Sequence, residues 1–324
     1  MKPFNSSIAE QLDAYVAYRR DLGFTDKHLR AMLRPFDRFV EQTGITLQQV
    51  SPLDFMDFKK SLTQEPRSVN AIIIATRGFF DYLIRIEHVD HNPLKAFPLQ
   101  RENAFVPFIF SPSQTQRILA AIHRKIRQTA EHFLDDLTVY TAIFLLAQCG
   151  MRLSEPLRLK NHHYRKDDGA LYIEKSKFRK DRLIALSSNV IQTLNNYISV
   201  KNTLKTDDQS QWLLPAPKGG PLRPDRIYAA FHQALEDICL KRTRRIIGNT
   251  VFARPTPHSL RHSFAVNTLN EIRSRGEDPQ GALPILSAYM GHRKYRYTAV
   301  YLKFTDAKER QQLLDFSIKA LHDL

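Results

Sequence analysis

The sequence predicts a mainly α-helical protein with a small antiparallel β-sheet, divided into two domains. Three observations support this. The chain of 324 residues is too long for one small core and suits about two domains. Apolar residues recur at helical spacing over most of it. Residues 161–187 instead hold short runs of β-prone residues around a charged turn.

Residues 1–104 are predicted to form an N-terminal bundle of four helices. One stripe at spacings i, i+4, i+7 and i+8 marks the first helix: Ile8, Leu12, Tyr15 and Val16. A second stripe runs from Leu29 to Val40, and Gly44 follows where a helix is expected to stop. The third helix has Ser51 as N-cap and Pro52 as first helical residue. The fourth is "SVNAIIIATRGFFDYLIRIEH", which "HNPL" ends.

Residues 105–112 are the predicted linker, because residues 97–112 hold three prolines and no helical stripe. Residues 113–324 form the predicted second domain. It opens with the helices "SQTQRILAAIHRKI" and "LDDLTVYTAIFLLAQ", and it ends in "KERQQLLDFSIKALHDL". Between them, "ALYIEK" and "RLIAL" predict a hairpin or a three-stranded sheet. The C-terminal helix packs on its own domain or in a neighbouring protomer, and both possibilities stay open.

The net charge of +15 and the isoelectric point of about 9.8 favour a polyanionic partner, most often nucleic acid. The charge is uneven along the chain. Residues 1–104 hold 14 Lys/Arg and 13 Asp/Glu, whereas residues 105–324 hold 34 and 20. We therefore expect the anion-binding surface mostly in the second domain. The alternative is a basic surface without a specific partner.

Two cysteines, Cys149 and Cys239, exclude a disulfide framework and a cysteine-based zinc site. The N-terminal residues contain no apolar signal core, and the longest apolar run is too short to cross a bilayer. We expect a soluble cytoplasmic protein without a membrane partner.

Three local clusters carry residues suited to phosphate chemistry. In "PHSLRHSF", His258 and Arg261 share one face near a helix N-terminus, which favours an anion. In "CGMRLSEPL", Arg152 offers a planar fork for phosphate oxygens, and Glu155 is placed to orient it. Each cluster alone fits a solvated surface pair or an ordinary salt bridge equally well.

The third cluster is the turn in "EKSKFRKDRLIAL". It holds four basic residues: Lys177, Arg179, Lys180 and Arg182. A lysine at a hairpin tip can reach into a nucleic-acid groove or toward a leaving oxygen. A solvated basic turn is the alternative.

Taken in order, these clusters resemble the tyrosine recombinase (phage integrase) family. "CGMRLSEPLRL", "KFRKDRLIAL", "HSLRHSFA", "LSAYMGH" and a tyrosine nine residues after His292 follow the family's order over about residues 110–310. The helical segment ending in "YLIRIEHVDHNPL" resembles the family's core-binding domain more loosely. The segment "LPILSAYMGH" resembles that of transposon-encoded members of the family.

The resemblance implies a role for each matching residue. Arg152 and Arg261 clamp the scissile phosphate, and His292 hydrogen-bonds it. Lys177 is the general acid toward the leaving 5′ oxygen. His258 assists proton transfer as general base, Glu155 supports Arg152, and Tyr301 is the nucleophile. The resemblance implies no cofactor and no metal.

The resemblance also implies double-stranded DNA recombination sites as partners. A bacterial, DNA-associated homo-tetramer is expected on two sites, possibly with other recombinases. Further basic residues are predicted DNA contacts: Arg179, Lys180, Lys241, Arg242, Arg244, Arg245, Arg293, Lys294 and Arg296. The basic segment "CLKRTRRIIGNTVFARPTP" is interpreted as an added DNA-contacting loop.

Other functions stay open at this point. A type IB topoisomerase uses similar residues and would relax supercoils without a specific site. A catalytically silent DNA-binding protein of the same fold would bind DNA and never cleave it. A metal-dependent nuclease would lose its activity in EDTA.

Overall fold

The structure is a computed structural model. It describes residues 3–24, 26–174, 181–204, 210–292 and 294–303. The chain forms two compact units. The first comprises Met1–Ala104 with Gly248–Thr250, and the second comprises Phe105–Ile247 with Val251–Leu324.

The described part of the first unit contains four helices. They are α1 (Ala9–Asp21), α2 (Asp26–Thr43), α3 (Pro52–Ser61) and α4 (Pro66–Arg85). Ser51 caps α3 as predicted, because its hydroxyl accepts from the amide of Asp54 while the Asp54 carboxylate accepts from the Ser51 amide. The predicted stripe of α1 is buried at Ile8 and Leu12. Phe36 lies at the centre of an aromatic core, with ring centroids 5.3–5.9 Å from its neighbours.

Seven α-helices lie in the described residues of the second unit. They are α5 (Pro112–Arg124), α6 (Phe133–Gln148), α7 (Ser188–Leu204), α8 (Pro224–Asp237), α9 (Pro257–Ser274), α10 (Pro279–Met290) and α11 (Arg296–Ala299). α6 is the central helix, since it packs against α5, α7, α8 and α9. This explains why its sequence is apolar on nearly every side. Two short 3₁₀ turns, Pro156–Arg158 and Asn161–His163, follow α6.

A three-stranded antiparallel sheet occupies the stretch that the sequence assigned to strands. β2 (Tyr164–Arg165), β3 (Ala170–Ile173) and β4 (Arg182–Ala185) pair in that order. The register places Leu171 opposite Ile184, and both are buried. The prediction of a mainly α-helical protein with a small antiparallel sheet is therefore confirmed.

A second sheet was not predicted. It consists of β1 (Ala104–Val106), β5 (Arg245–Ile247) and β6 (Thr250–Phe252), in the order β1-β6-β5. Phe105 and Val106, assigned to a linker by sequence, thus lie in a strand, and the carbonyl of Val106 accepts from the amide of Ala253 at 2.9 Å. The pairing of β1 with β6 joins segments that lie far apart in the chain, so local sequence carries little trace of it. The hairpin of β5 and β6 is local, and its Gly248-Asn249 turn was a usable signal.

In the described part of the chain, no helix has the length and apolar character needed to cross a membrane. The predicted C-terminal helix "KERQQLLDFSIKALHDL" lies outside the described residues.

Candidate active site

Arg261 lies near the N-terminal end of α9 and is only 2% exposed. Its Nη1 donates to the carbonyl of Gly150 and its Nη2 to the carbonyl of Met290, both at 2.6 Å. Gly150 follows α6, and Met290 is the last residue of α10. Carbonyl groups at the C-terminal end of a helix carry partial negative charge. Burial and the charge of Arg152 lower the pKa of Arg261 to about 9. The guanidinium therefore stays charged at neutral pH while its orientation is fixed.

Two glycines form the turns that present carbonyls to the arginines. Gly150 has φ +56°, and a Cβ on it would lie 2.4 Å from the ring of Phe264. Gly291 caps α10 with φ +67°, and a Cβ there would lie 3.1 Å from Arg182. Both conformations are left-handed, where residues with a side chain are strained. Conformation favours glycine at both positions, and overlap with Phe264 makes a side chain at position 150 especially unfavourable.

Glu155 orients the side chain of Arg152. Its carboxylate accepts from the backbone amide and from Nη1 of Arg152, each at 2.8 Å. Nη2 of Arg152 donates to the carbonyl of Gly291 at 2.5 Å. Arg182 adds two hydrogen bonds to Glu155, at 2.9 and 2.8 Å, and its Nε donates to the carbonyl of Tyr289 at 2.8 Å. Glu155 therefore connects two arginines, and both arginines bind the C-terminal end of α10.

The ionisation of Glu155 follows from these contacts. It is 5% exposed, and burial alone would raise its pKa. The hydrogen bonds and charge of Arg182, together with Arg152, outweigh burial and hold the pKa of Glu155 below its usual range. A charged Glu155 keeps Arg152 in place at neutral pH.

Tyr301 is buried beside this arginine pair, at 5% exposure. Its ring belongs to an apolar cluster with residues of α9 and α10. Its hydroxyl lies 2.9 Å from Nδ1 of His262, and its ring centroid lies 6.3 Å from that of His292. Burial raises the pKa of Tyr301, whereas the charges of Arg261 and Arg152 act to lower it. The phenol therefore needs an acceptor before it can act as a nucleophile.

Histidines surround the phenol. Nδ1 of His292 lies 2.8 Å from Oγ1 of the fully buried Thr298, which fixes its ring. Burial, then the charge of Arg261, lower the pKa of His292 to about 3. Burial and the nearby His258 lower the pKa of His262 to about 3 as well. Both imidazoles are neutral at physiological pH. The exposed His258 packs edge-on against His262, with centroids 4.6 Å apart.

The other tyrosines of this segment differ from Tyr301. Tyr295 is 49% exposed and Tyr297 is 48% exposed. The guanidinium of Arg296 lies 5.5 Å from the ring centroid of Tyr297. These two tyrosines therefore belong to an accessible basic surface, whereas Tyr301 faces the histidines.

Five of the predicted site residues come together in this way: Arg152, Glu155, Arg261, His292 and Tyr301. His258 lies on α9 next to them. Lys177, the predicted general acid, lies outside the described residues, as do Arg179, Lys180 and Arg293. Their predicted roles stay predictions.

The remaining predicted DNA contacts are all exposed. One group lies at the start of the second sheet: Lys241, Arg242, Arg244 and Arg245. Lys241 pairs with Glu236 at 2.5 Å. Lys294, which precedes α11, and Arg296, its first residue, are also exposed. The segment interpreted as an added loop contains strands β5 and β6.

Sequence reasoning missed two residues of the site. His262 follows Arg261 directly and lies four residues after His258, which places the two histidines on one helical face. That spacing was a usable signal. Arg182 was noted only as one of the four basic residues of the turn. Its pairing with Glu155 joins positions 27 residues apart, and no local pattern indicates it.

Among the described residues, no group of three or more His, Cys, Asp or Glu side chains is arranged to hold a metal ion. Within the same described ranges, the charges of Arg261 and Arg152 act on Tyr301. Guanidinium forks bind phosphate oxygens and stabilise negative charge that develops on them. A buried phenol beside such a pair can attack a phosphodiester once it loses its proton.

A sequence model of the phage integrase family matches residues 109–308. The putative integrase/recombinase y4rE of Sinorhizobium fredii is 27% identical over 303 residues, which cover 93% of this chain and 93% of that protein.

Two solved structures share the fold. One is the XerH site-specific recombinase bound to its difH substrate, with a TM-score of 0.66 and 17% identity over 92% of this chain and 83% of that one. The other is a lambda integrase tetramer bound to a Holliday junction, with a TM-score of 0.62 and 16% identity over 90% of this chain and 78% of that one. The family match covers well over half of the sequence. The chain therefore belongs to the phage integrase family of tyrosine site-specific recombinases.

Proposed function

We propose that this recombinase cleaves and rejoins DNA through a covalent 3′-phosphotyrosine formed by Tyr301, without a metal ion. The observation that carries the proposal is the enclosure of Tyr301. It is 5% exposed and hydrogen-bonded to a histidine of α9, the helix that also carries Arg261. Tyr295 and Tyr297 are about half exposed at 49% and 48%.

The reaction balances without a cofactor. The Tyr301 oxygen attacks phosphorus, a P–O bond to tyrosine forms, and the P–O5′ bond breaks. The phenolic proton passes to a base, a step in which His258 assists by family resemblance, and the leaving 5′ oxygen takes a proton from Lys177. The phosphotyrosine retains the energy of a phosphodiester, so a 5′ hydroxyl can reverse the reaction. Arg152, Arg261 and His292 bind the phosphate oxygens.

The proposed partner is double-stranded DNA carrying a recombination site. Support comes from the net charge of +15 and from the exposed basic residues of the second unit. A homo-tetramer on two sites is part of the proposal, possibly with other recombinases. The solved tetramer of lambda integrase on a Holliday junction supports it by analogy of fold.

The test uses nicked duplexes in which cleavage releases a short fragment, so that the covalent product cannot religate. Sites are first selected from genomic fragments by covalent capture on the wild-type protein. Wild type, Tyr295→Phe and Tyr297→Phe are expected to form an adduct that survives denaturant and disappears with protease. Tyr301→Phe is expected to form none. An adduct persisting in Tyr301→Phe would overturn the proposal.

Metal independence has its own test. Adduct formation is measured after dialysis against EDTA and again after Mg²⁺ is restored. The proposal expects the same rate in both, because guanidinium groups supply the positive charge that metal ions supply in other phosphoryl transfers. A rate of adduct formation that falls sharply in EDTA and returns with Mg²⁺ would contradict metal independence. It would not decide whether Tyr301 is the nucleophile, which the tyrosine variants test separately.

A further inference from the structure

His262 lies at hydrogen-bond distance from the reacting atom of the proposed nucleophile. Its Nδ1 is 2.9 Å from the Tyr301 hydroxyl, and the ring centroids are 5.8 Å apart. Family resemblance assigned proton transfer to His258 and gave His262 no role. We propose that His262 is a catalytic residue whose Nδ1 takes the proton from the Tyr301 hydroxyl as the oxygen attacks phosphorus. This inference rests on the proposed function.

Burial makes such an acceptor necessary. Tyr301 is buried, at 5% exposure, and its hydroxyl lies 2.9 Å from an imidazole nitrogen, so a side chain is a closer proton acceptor than bulk water. A phenol with an ordinary pKa of about 10 is a poor nucleophile at neutral pH unless a base removes that proton. The acceptor must lie within hydrogen-bond reach of the phenolic oxygen. His262 meets this geometric condition.

The neighbouring histidines are placed for other tasks. Nδ1 of His292 is 2.8 Å from Thr298, and its ring is stacked with that of Tyr301 at 6.3 Å. These contacts are suited to holding the imidazole of His292 beside the proposed phosphate-binding site. His258 is exposed, and its ring contacts His262 edge-on at 4.6 Å. It is thus positioned to assist His262 from the solvent side.

Protonation of His262 is coupled to phosphate binding by electrostatics. The pKa of its imidazole is lowered to about 3 by burial, then by His258 and Arg261. The ring is therefore neutral and able to accept when its proton is on Nε2. A phosphodiester held by Arg152 and Arg261 brings negative charge that offsets the cations and favours the imidazolium. The acceptor thus becomes stronger when the substrate is in place.

The step balances as follows. The O–H bond of Tyr301 breaks, the proton joins Nδ1 of His262, and the phenolic oxygen forms its bond to phosphorus. The P–O5′ bond breaks, and its oxygen receives a proton from another group. When the strand is rejoined, the imidazolium returns its proton to the phenolic oxygen as the tyrosine leaves.

His262→Asn separates proton transfer from positioning. The Asn Oδ1 can accept a hydrogen bond near the place of Nδ1, but it cannot take the proton. Single-turnover adduct formation by His262→Asn is expected to slow by about 100-fold or more, within the range that a positioned proton acceptor contributes. DNA affinity, measured by gel shift, is expected to be unchanged. His123→Asn, at an exposed histidine of α5, is the matched control and is expected to cleave like wild type.

A second substrate shows whether His262 acts on the proton of the Tyr301 hydroxyl or on the proton that the leaving group receives. In a 5′-bridging phosphorothiolate, the leaving sulfur needs no proton. This substrate is expected to restore Lys177→Met, the variant of the proposed proton donor, and to leave His262→Asn slow. Restoration of His262→Asn would place His262 on the leaving-group side and overturn the inference. A His262→Asn rate within about threefold of wild type on the ordinary substrate would overturn it too, since it lies far below the loss expected for a general base.

These outcomes are distinct from failure of the proposed function. If wild type forms no adduct, or Tyr301→Phe forms one, the phosphotyrosine proposal itself is wrong. If wild type cleaves through Tyr301 and His262→Asn cleaves equally fast, the phosphotyrosine proposal stands and His262 is not the acceptor.

Discussion

The guanidinium of Arg182 and the carboxylate of Glu155 form a bidentate ion pair, with hydrogen bonds of 2.9 and 2.8 Å. Both side chains are almost fully enclosed, at 9% and 4% exposure. The same carboxylate holds Arg152, and Arg182 also binds a carbonyl of α10. One acidic residue thus links the strand β4, the turn after α6 and the end of α10.

Glu155→Gln is expected to destabilise the protein by about 3 kcal/mol, because it leaves two enclosed guanidinium groups without a counter-charge. Urea denaturation measures the change. The control is Asp57→Asn, which removes the carboxylate of an exposed pair with Lys60 at 67% and 73% exposure. That change is expected to cost less than about 1 kcal/mol. Equal losses in the two variants would contradict the structural role of Glu155.

Gly150→Ala is expected to cost about 2–4 kcal/mol, from left-handed strain together with overlap against Phe264. Gly219→Ala separates these contributions, since Gly219 also has positive φ but has open space around it. It is expected to cost only about 1 kcal/mol. Denaturant midpoints of the two variants give the comparison. A Gly150→Ala loss no larger than that of Gly219→Ala would show that the contact with Phe264 is unimportant.

The buried histidines predict acid sensitivity. The pKa of His262 in the folded protein is about 3, below the ordinary value of 6.5. Between these values the unfolded chain binds more protons, so stability is full above about pH 6.5 and declines as the pH falls toward about 3. At about pH 5 the loss from His262 is about 2 kcal/mol. The pKa of His292 is also about 3, so His292 contributes a similar loss over the same pH range.

Thermal unfolding between about pH 7.5 and about pH 5 tests this prediction. The melting temperature of wild type is expected to fall, and His262→Asn is expected to fall less steeply. His123→Asn should follow wild type. Parallel curves for wild type and His262→Asn would mean that His262 does not resist protonation in the folded protein.

How much the sequence revealed differs between elements. The helices of both units carry stripes that local spacing encodes, and α9 begins at Pro257, directly before the His258 that was placed near a helix N-terminus. The alternating runs of β3 and β4 were equally readable. The second sheet was missed, because β1 pairs with a strand far along the chain and the short hairpin of β5 and β6 was interpreted as a basic loop.

In the site as well, some features could be predicted from the sequence and others could not. Resemblance selected Arg152, Arg261, His292 and Tyr301, and the fold places them around the end of α10. It could not show that Gly150 and Gly291 supply the carbonyls that orient the arginines. These contacts depend on helices packing at close range, and residue spacing along the chain does not encode that. His262 had a spacing signal, but its contact with Tyr301 is visible only in three dimensions.

The exposed basic residues before and in β5 predict a salt-dependent affinity for DNA. If Arg242 and Arg245 each neutralise one phosphate, the double variant to Gln lowers the slope of log K against log salt by about 2. Binding titrations between about 50 and about 200 mM salt measure it. Lys166→Gln with Lys218→Gln removes two exposed cations outside the predicted set, and its slope should match that of wild type. A slope unchanged by Arg242→Gln/Arg245→Gln would remove these residues from the interface.

The central claim, that Tyr301 is the residue joined to DNA, is tested most directly by mass spectrometry of the covalent peptide. Trypsin cleaves after Arg296 and Lys303, so Tyr297 and Tyr301 fall in one peptide, "YTAVYLK", and Tyr295 falls outside it. After nuclease trimming of the adduct, fragment ions assign the nucleotide to one tyrosine. The account predicts the added mass on Tyr301. The same mass on Tyr297, or on a peptide containing Tyr295, would contradict it.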